Sequence, residues 1–343
     1  MTQRKKTMGN LKKIHIIAEA AQGFEGDLKL ACLLVQAAAA AGANAIKFQL
    51  VYADEIATPG YKYYDLFKKL EMSPRAWRLV AKEAKKLGIE LYFDVFGLRS
   101  FRQALSLRAS GLKIHAADFY HDALLQKVFQ SGLKVLISCA GLDKADLLDL
   151  FERHPGAQDS QVTFLHGFQA EPTPLEANNL KRLLSLSGVC WPAGIGFMDH
   201  SDGSKEDALE LALLALPLGV SVLEKHITLD RELKLEDHVS ALPPSGFRSF
   251  VTKIKKYGKA LGTLEIQPGK MEAEYRLRSA KVLVAAKNLK KGAILKMKDI
   301  KLLRVAKQES MPTLLDPRKA LGARLRVAIA KHSPILLQML ISS

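Results

Sequence analysis

Cysteine is scarce. Three thiols (Cys32, Cys139 and Cys190) occur in 343 residues, none in a Cys-x-x-Cys pair, so there is no disulfide framework and no thiolate zinc site. That usage suits a reducing cytoplasm. Long apolar runs are also missing. The most apolar stretch, residues 209–223, contains Glu210 and Pro217 and is too short to span a bilayer. Residues 1–13 are basic but run into a strand-like segment without the apolar core of a signal peptide. Thirteen prolines and 23 glycines are too few for a low-complexity chain. No P-loop, zincin or EF-hand motif occurs, and no Gly-x-Gly-x-x-Gly follows the first strand-like run. These absences point away from secreted and membrane proteins and toward a cytoplasmic one. What remains is ordinary globular composition, 48% apolar and 25% charged.

Charge is unevenly distributed. Residues 1–250 hold 30 basic and 29 acidic side chains, whereas residues 251–343 hold 21 and 6, so nearly all of the net +16 sits at the C-terminal end. The split predicts a domain boundary near residue 260. A basic module can bind nucleic acid, attract an anionic ligand, or simply be solvated. Nucleic acid is the weak option, because Tyr257 and Tyr275 are the tail's few aromatics and supply no stacking platform.

Short apolar runs at residues 14–18, 45–49, 91–95, 112–115, 135–138, 162–165, 195–197 and 220–223 alternate with 3.6-period segments at 28–41, 76–87, 101–108, 143–152 and 205–216. Glycines 42, 88, 111, 132 and 219 follow helical segments as stops. Eight strand–helix repeats predict an α/β fold, a (β/α)8 TIM barrel over residues 1–262. A linker over 263–278 then leads to a small domain over 279–343, with strand-like runs at 281–286, 300–304 and 325–328.

Active sites of parallel barrels lie at the carboxyl ends of the strands. The strand ends here carry Glu19, Lys47 with Gln49, Asp94, Lys113 with His115, Ser138, His166, Asp199-His200 and Glu224-Lys225-His226. One such lysine could snorkel to water. Two, Lys47 and Lys113, within apolar strands are economically explained by a bound anion. His200 and His226 close adjacent strands, so both imidazoles can reach one divalent metal. Asp237 follows the last strand and could face the same cavity. Ser138-Cys139 has no recognisable histidine and acid partners and makes a poor nucleophile candidate.

At this point the residues resemble a known family. Ile16-Ile17-Ala18-Glu19, the run from Gly42 to Gln49, the run from Leu66 to Ser73, Lys113-Ile114, Leu136-Ile137-Ser138, Leu165-His166 with Pro172-Thr173-Pro174, Asp199-His200-Ser201 and the run from Leu223 to Asp230 keep the order and spacing of the sialic acid synthases. These are phosphoenolpyruvate-dependent nonulosonate synthases. Lys291-Gly292 and the segment from Ile300 to Arg304 resemble the antifreeze-like (SAF, β-clip type) domain that ends them.

The resemblance implies condensation of phosphoenolpyruvate with an amino-sugar aldehyde, with Mn2+ or Mg2+ on His200 and His226. It implies phosphoenolpyruvate on Lys47, Lys113 and Ser138, catalytic roles for Glu19 and Asp237, and sugar contacts from Gln49, Asp237, Glu171 and Arg304. It also implies a domain-swapped homodimer in which the basic domain of one subunit brings Arg304 to its partner's barrel. Several positions depart from the family. Gly23-Phe24 stands for Asn-His, Phe93-Asp94-Val95 for Ser-Thr-Pro, Ala116 for serine and Asp118 for glutamate. Gln169 and Glu171 stand for asparagine and tyrosine, and Met198 for serine. The lost hydroxyls keep open a second reading, a catalytically reduced paralogue that binds a sugar or phosphate.

Overall fold

The computed structural model describes residues 14–263, 265–306 and 315–341, so the basic segment 1–13 lies outside the described residues. Eight strands run β1 (His15–Ala21), β2 (Ala45–Gln49), β3 (Glu90–Asp94), β4 (Gly111–Ile114), β5 (Lys134–Ser138), β6 (Val162–His166), β7 (Gly194–Asp199) and β8 (Val222–His226). All neighbours pair in parallel, and β1 closes on β8 through His15↔Val222 to Glu19↔His226. Alternation along each strand then sorts side chains into two cores. Ile17, Ala45, Tyr92, Leu136, Leu165, Met198 and Val222 cluster inside the barrel. Their sequence neighbours, such as Ile16, Ile46, Phe93, Ile137, Phe197 and Leu223, join the larger core against the helices.

The helices start where the sequence caps them. Asp27 accepts from the Leu30 amide at 2.8 Å to open Leu28–Ala41, and Gly42 ends that helix at φ 85°, a left-handed conformation that favours glycine. Ser73 caps Pro74–Leu87, with proline in the first turn where no amide partner is needed. Asp143 and Asp146 form a reciprocal box at Lys144–Arg153. Helices Asp122–Phe129, Arg182–Val189 and Pro244–Gly258 fall outside the predicted segments. The first two are only eight residues long, too short for their apolar stripes to stand out. Gly111 opens β4 and makes room inside the barrel, because a Cβ there would collide with the ring of Tyr92, its partner on β3.

The chain divides into two units, Met1–Thr263 and Leu264–Ser343. The stretch expected as a linker carries a helix, Lys270–Ser279, which buries no residue and whose first turn is closed by Glu272 accepting from the Gly269 amide at 2.7 Å. The second unit pairs Val282–Ala285 with Ile300–Leu303 and Arg324–Leu325 with Leu340–Ile341, both antiparallel, around Leu283, Leu295, Leu325 and Ile335. The strand expected over 325–328 is confined to Arg324–Leu325, and Ile329 beyond it meets Leu289 as an isolated bridge. Among the described residues no helix is long and apolar enough to cross a membrane.

Candidate functional site

The inward positions at the carboxyl end of the barrel are charged and almost sealed from solvent. Register places Glu19 beside Lys47, Asp94 beside Lys113 and Met198 beside Glu224 on paired strands. Lys47 is fully buried; its Nζ pairs with Glu19, with Asp94 Oδ1 at 2.7 Å and with Glu224 Oε2 at 3.7 Å. Lys113 Nζ holds Glu224 Oε1 at 2.5 Å. Two ammonium groups thus meet three carboxylates. Glu19 is further fixed by its Oε1, which accepts from the Ala21 amide at 2.7 Å across a bulge in β1. Burial opposes charge on Lys47, Lys113 and Glu224. For Lys47 burial prevails and its ammonium lies below the usual lysine range. For Lys113 the Glu224 and Asp94 carboxylates outweigh burial and raise it. For Glu224 the nearby Lys113 and Lys47 overcome burial and bring its carboxyl to about 2.

Above this network lies a cavity of about 150 Å3. Glu19, Asp94, Lys113 and Glu224 line it together with His200 and His226, whose ring centroids are 5.0 Å apart. Burial, then Lys113, pushes His200 down to about 4. Burial, then His200, holds His226 well below the usual imidazole range. Both rings are therefore neutral at pH 7 and present lone pairs. The Nδ1 atoms of both are buried without a hydrogen-bond partner among the described residues. Two neutral imidazoles facing a polar cavity fit a divalent ion that completes its coordination with water or substrate oxygen. Among the described residues no third histidine, cysteine or carboxylate gathers with them into a three-ligand set.

A third layer forms the rim. Gln49 Oε1 accepts from Gln22 Nε2 at 2.7 Å, and the Gln22 amide donates to Asp237 Oδ2 at 3.1 Å, so one glutamine ties the ends of β1 and β2 to the loop after β8. Burial, then the adjoining Glu171, pushes Asp237 up to about 8. Gln49, His115, Gln169, Glu171 and Asp237 all line the cavity. Gln22 escapes sequence reading, since a lone glutamine in a loop carries no pattern. His115 is drawn below the usual imidazole range by burial and then by Lys113.

Not every expected residue reaches this space. Lys47 and Ser138 are fully buried and are not among the residues lining it. The Ser138 hydroxyl lies 3.8 Å from Met198 Sδ. His166 bonds the Asn178 carbonyl at 2.7 Å and packs on Phe197 of the outer core. Asp199 pairs with Lys225 at 3.2 Å, on the strand positions alternate to Met198, Glu224 and His226. Arg304 belongs to the second unit, where its Nε donates to the Ser279 carbonyl at 3.0 Å. Cys139 is buried, and burial raises its thiol well above the usual range, so it makes no nucleophile.

This chemistry has relatives. The NeuB family model matches residues 34–265, and the SAF domain model matches residues 280–341. The chain belongs to the NeuB family. An N,N'-diacetyllegionaminic acid synthase of Campylobacter jejuni is 30% identical over 301 residues, covering 83% of this chain and 88% of its own length. A spore coat polysaccharide biosynthesis protein of Bacillus subtilis is 32% identical over 266 residues, 73% of this chain and 69% of its own length. Among solved structures, an N-acetylneuraminic acid (sialic acid) synthetase from Leptospira borgpetersenii, in complex with citrate, superposes with a TM-score of 0.71. It is 28% identical and covers 78% of this chain and 93% of its own. Of the positions noted above as departing from the resemblance, Asp94 and Met198 face inward and Glu171 lines the cavity. Phe24 departs differently. It is fully buried outside the barrel, edge-on to Trp77 at 5.3 Å and to Phe48 at 5.9 Å, so it is a core residue and no part of the cavity.

Proposed function

We propose that this protein condenses phosphoenolpyruvate with an open-chain amino-sugar aldehyde, N-acetylmannosamine-like, to give a nonulosonic acid and phosphate. The observation that carries the reading is the gathering of Lys113, the two unpartnered imidazoles and the Gln49–Asp237 rim around one cavity, in a chain whose relatives are named as nonulosonic acid synthases. A divalent ion, Mn2+ or Mg2+, held by His200 and His226 would act as a Lewis acid on the aldehyde oxygen. Lys113 supplies positive charge on the donor's side. The enol carbon bonds to the aldehyde carbon, and the oxygen that gains charge takes a proton. Asp237, protonated near neutrality, stands in reach of the sugar side to donate it. Water then adds to the cationic donor carbon, and cleavage of its bond to the phosphate oxygen leaves a 2-keto acid. Arg304 contacts the sugar from the partner subunit of a domain-swapped homodimer.

Phosphate release in the presence of manganese, over a panel of amino-hexose acceptors, tests the reaction. His200→Ala and His226→Ala should each lower the rate on the order of 100-fold or more. They should also abolish manganese binding in calorimetry; full binding in both variants would remove the metal from the proposal. A second reading, a sugar- or phosphate-binding paralogue with reduced catalysis, is favoured by one arrangement. Lys47 is wholly engaged by carboxylates, and the Ser138 hydroxyl faces the Met198 thioether. Tight binding of sugar without phosphate release would decide for it.

A further inference from the structure

An anionic donor needs positive charge that the chain has not already neutralised. Among the described residues, the lysines turned into the barrel mouth are Lys47 and Lys113, and they face Glu19, Asp94 and Glu224. All five residues are at most 2% exposed. The cluster therefore carries one more carboxylate than ammonium. Glu19 is anchored by a backbone amide as well as by Lys47, and Glu224 is shared between both lysines. Asp94 differs. Among the described residues its ion pair is with Lys47 alone, through Oδ1 at 2.7 Å. Asp94 lines the cavity, whereas Lys47 does not, so the carboxylate stands between the ammonium and any ligand.

We propose that Asp94 is a specificity-determining residue, an internal carboxylate that competes with the ligand's anionic group for Lys47 and so sets how much negative charge the cavity accepts. Asp94 is thus a stand-in for part of the donor, and a multiply charged phosphate enters only when Asp94 gives up Lys47. Neutralising Asp94 leaves two carboxylates facing two lysines, which lifts the excess negative charge without emptying the position. The inference rests on the proposed function for the identity of the donor, but its charge argument holds for any small anion.

The test is calorimetry on the full chain with manganese, using phosphoenolpyruvate, inorganic phosphate and pyruvate as probes. Asp94→Asn and Asp94→Ser should tighten phosphoenolpyruvate and phosphate at least about tenfold, as expected when a unit charge a few ångströms away is removed. The single-charge pyruvate should gain less, which separates the phosphate from the carboxylate. Wild-type binding of phosphoenolpyruvate with unchanged or weaker binding in both folded variants would overturn the role of Asp94 and leave the proposed function standing. Absence of binding by wild type and variants alike would overturn both. A phosphate-soaked crystal of the unaltered protein covers the case in which the variants do not fold. Asp94 should have turned from Lys47; phosphate bound beside an intact Lys47–Asp94 pair would overturn the proposal.

Discussion

At the scale of single residues, the barrel mouth shows how a ligand-binding vocabulary becomes part of the core. Lys47 is legible as an inward lysine on an apolar strand, and sequence logic assigns it an external anion. Its anions turn out to be internal, and nothing in the spacing could show it, because Glu19, Asp94 and Glu224 come from three other strands. Its substitution therefore acts on stability as well as on binding. Lys47→Met leaves buried carboxylates without their cation and should destabilise the barrel by about 3–5 kcal/mol in urea unfolding. Lys47→Met combined with Asp94→Leu should recover part of that loss, because both buried charges go together. A Lys47→Met variant as stable as wild type would mean that the pairing has no structural weight. The histidine pair is easier to read. Two residues closing consecutive strands must lie side by side, whatever the helices between them do.

At the scale of elements, strands are easier to read than helices, and the reason is packing. Parallel strands buried on both faces appear as short apolar runs, and every barrel strand starts and ends within about three residues of its run. Helices such as Asp122–Phe129 bury only one narrow stripe, here Leu124, Leu125 and Val128, which a mixed composition hides. After β1 the resemblance leads one to expect Asn-His, and this chain has Gly23-Phe24. Phe24 instead closes an aromatic cluster with Phe48, Trp77 and Phe93 that docks helix Pro74–Leu87 onto β2 and β3. Phe24→Ala should cost about 3–5 kcal/mol through the cavity left between these elements. Manganese affinity of the folded variant should stay within about twofold, since a buried residue outside the barrel touches neither imidazole. A large loss of metal binding with unchanged stability would give Phe24 a part in the site.

At the scale of the whole molecule, the charge asymmetry is readable by counting, but its use is not. The barrel unit holds the cavity, and the second unit has its own small core and most of the excess positive charge. A basic module brought to a cavity with surplus carboxylates can raise the local concentration of an anionic donor and shield the reaction from water. If the module serves the partner's barrel, two inactive chains should repair each other. His226→Ala destroys a barrel but keeps Arg304, and Arg304→Ala keeps the barrel but loses the guanidinium. Random pairing puts about half of the dimers in mixed form, each with one complete site of two, so the mixture should recover about a quarter of the wild-type rate. Were Arg304 to act on its own barrel, every mixed dimer would hold one barrel without metal and one without guanidinium, and mixing would restore nothing. Rates measured before and after subunit exchange at micromolar protein therefore separate the two arrangements, provided that sedimentation shows the dimer at the same concentration.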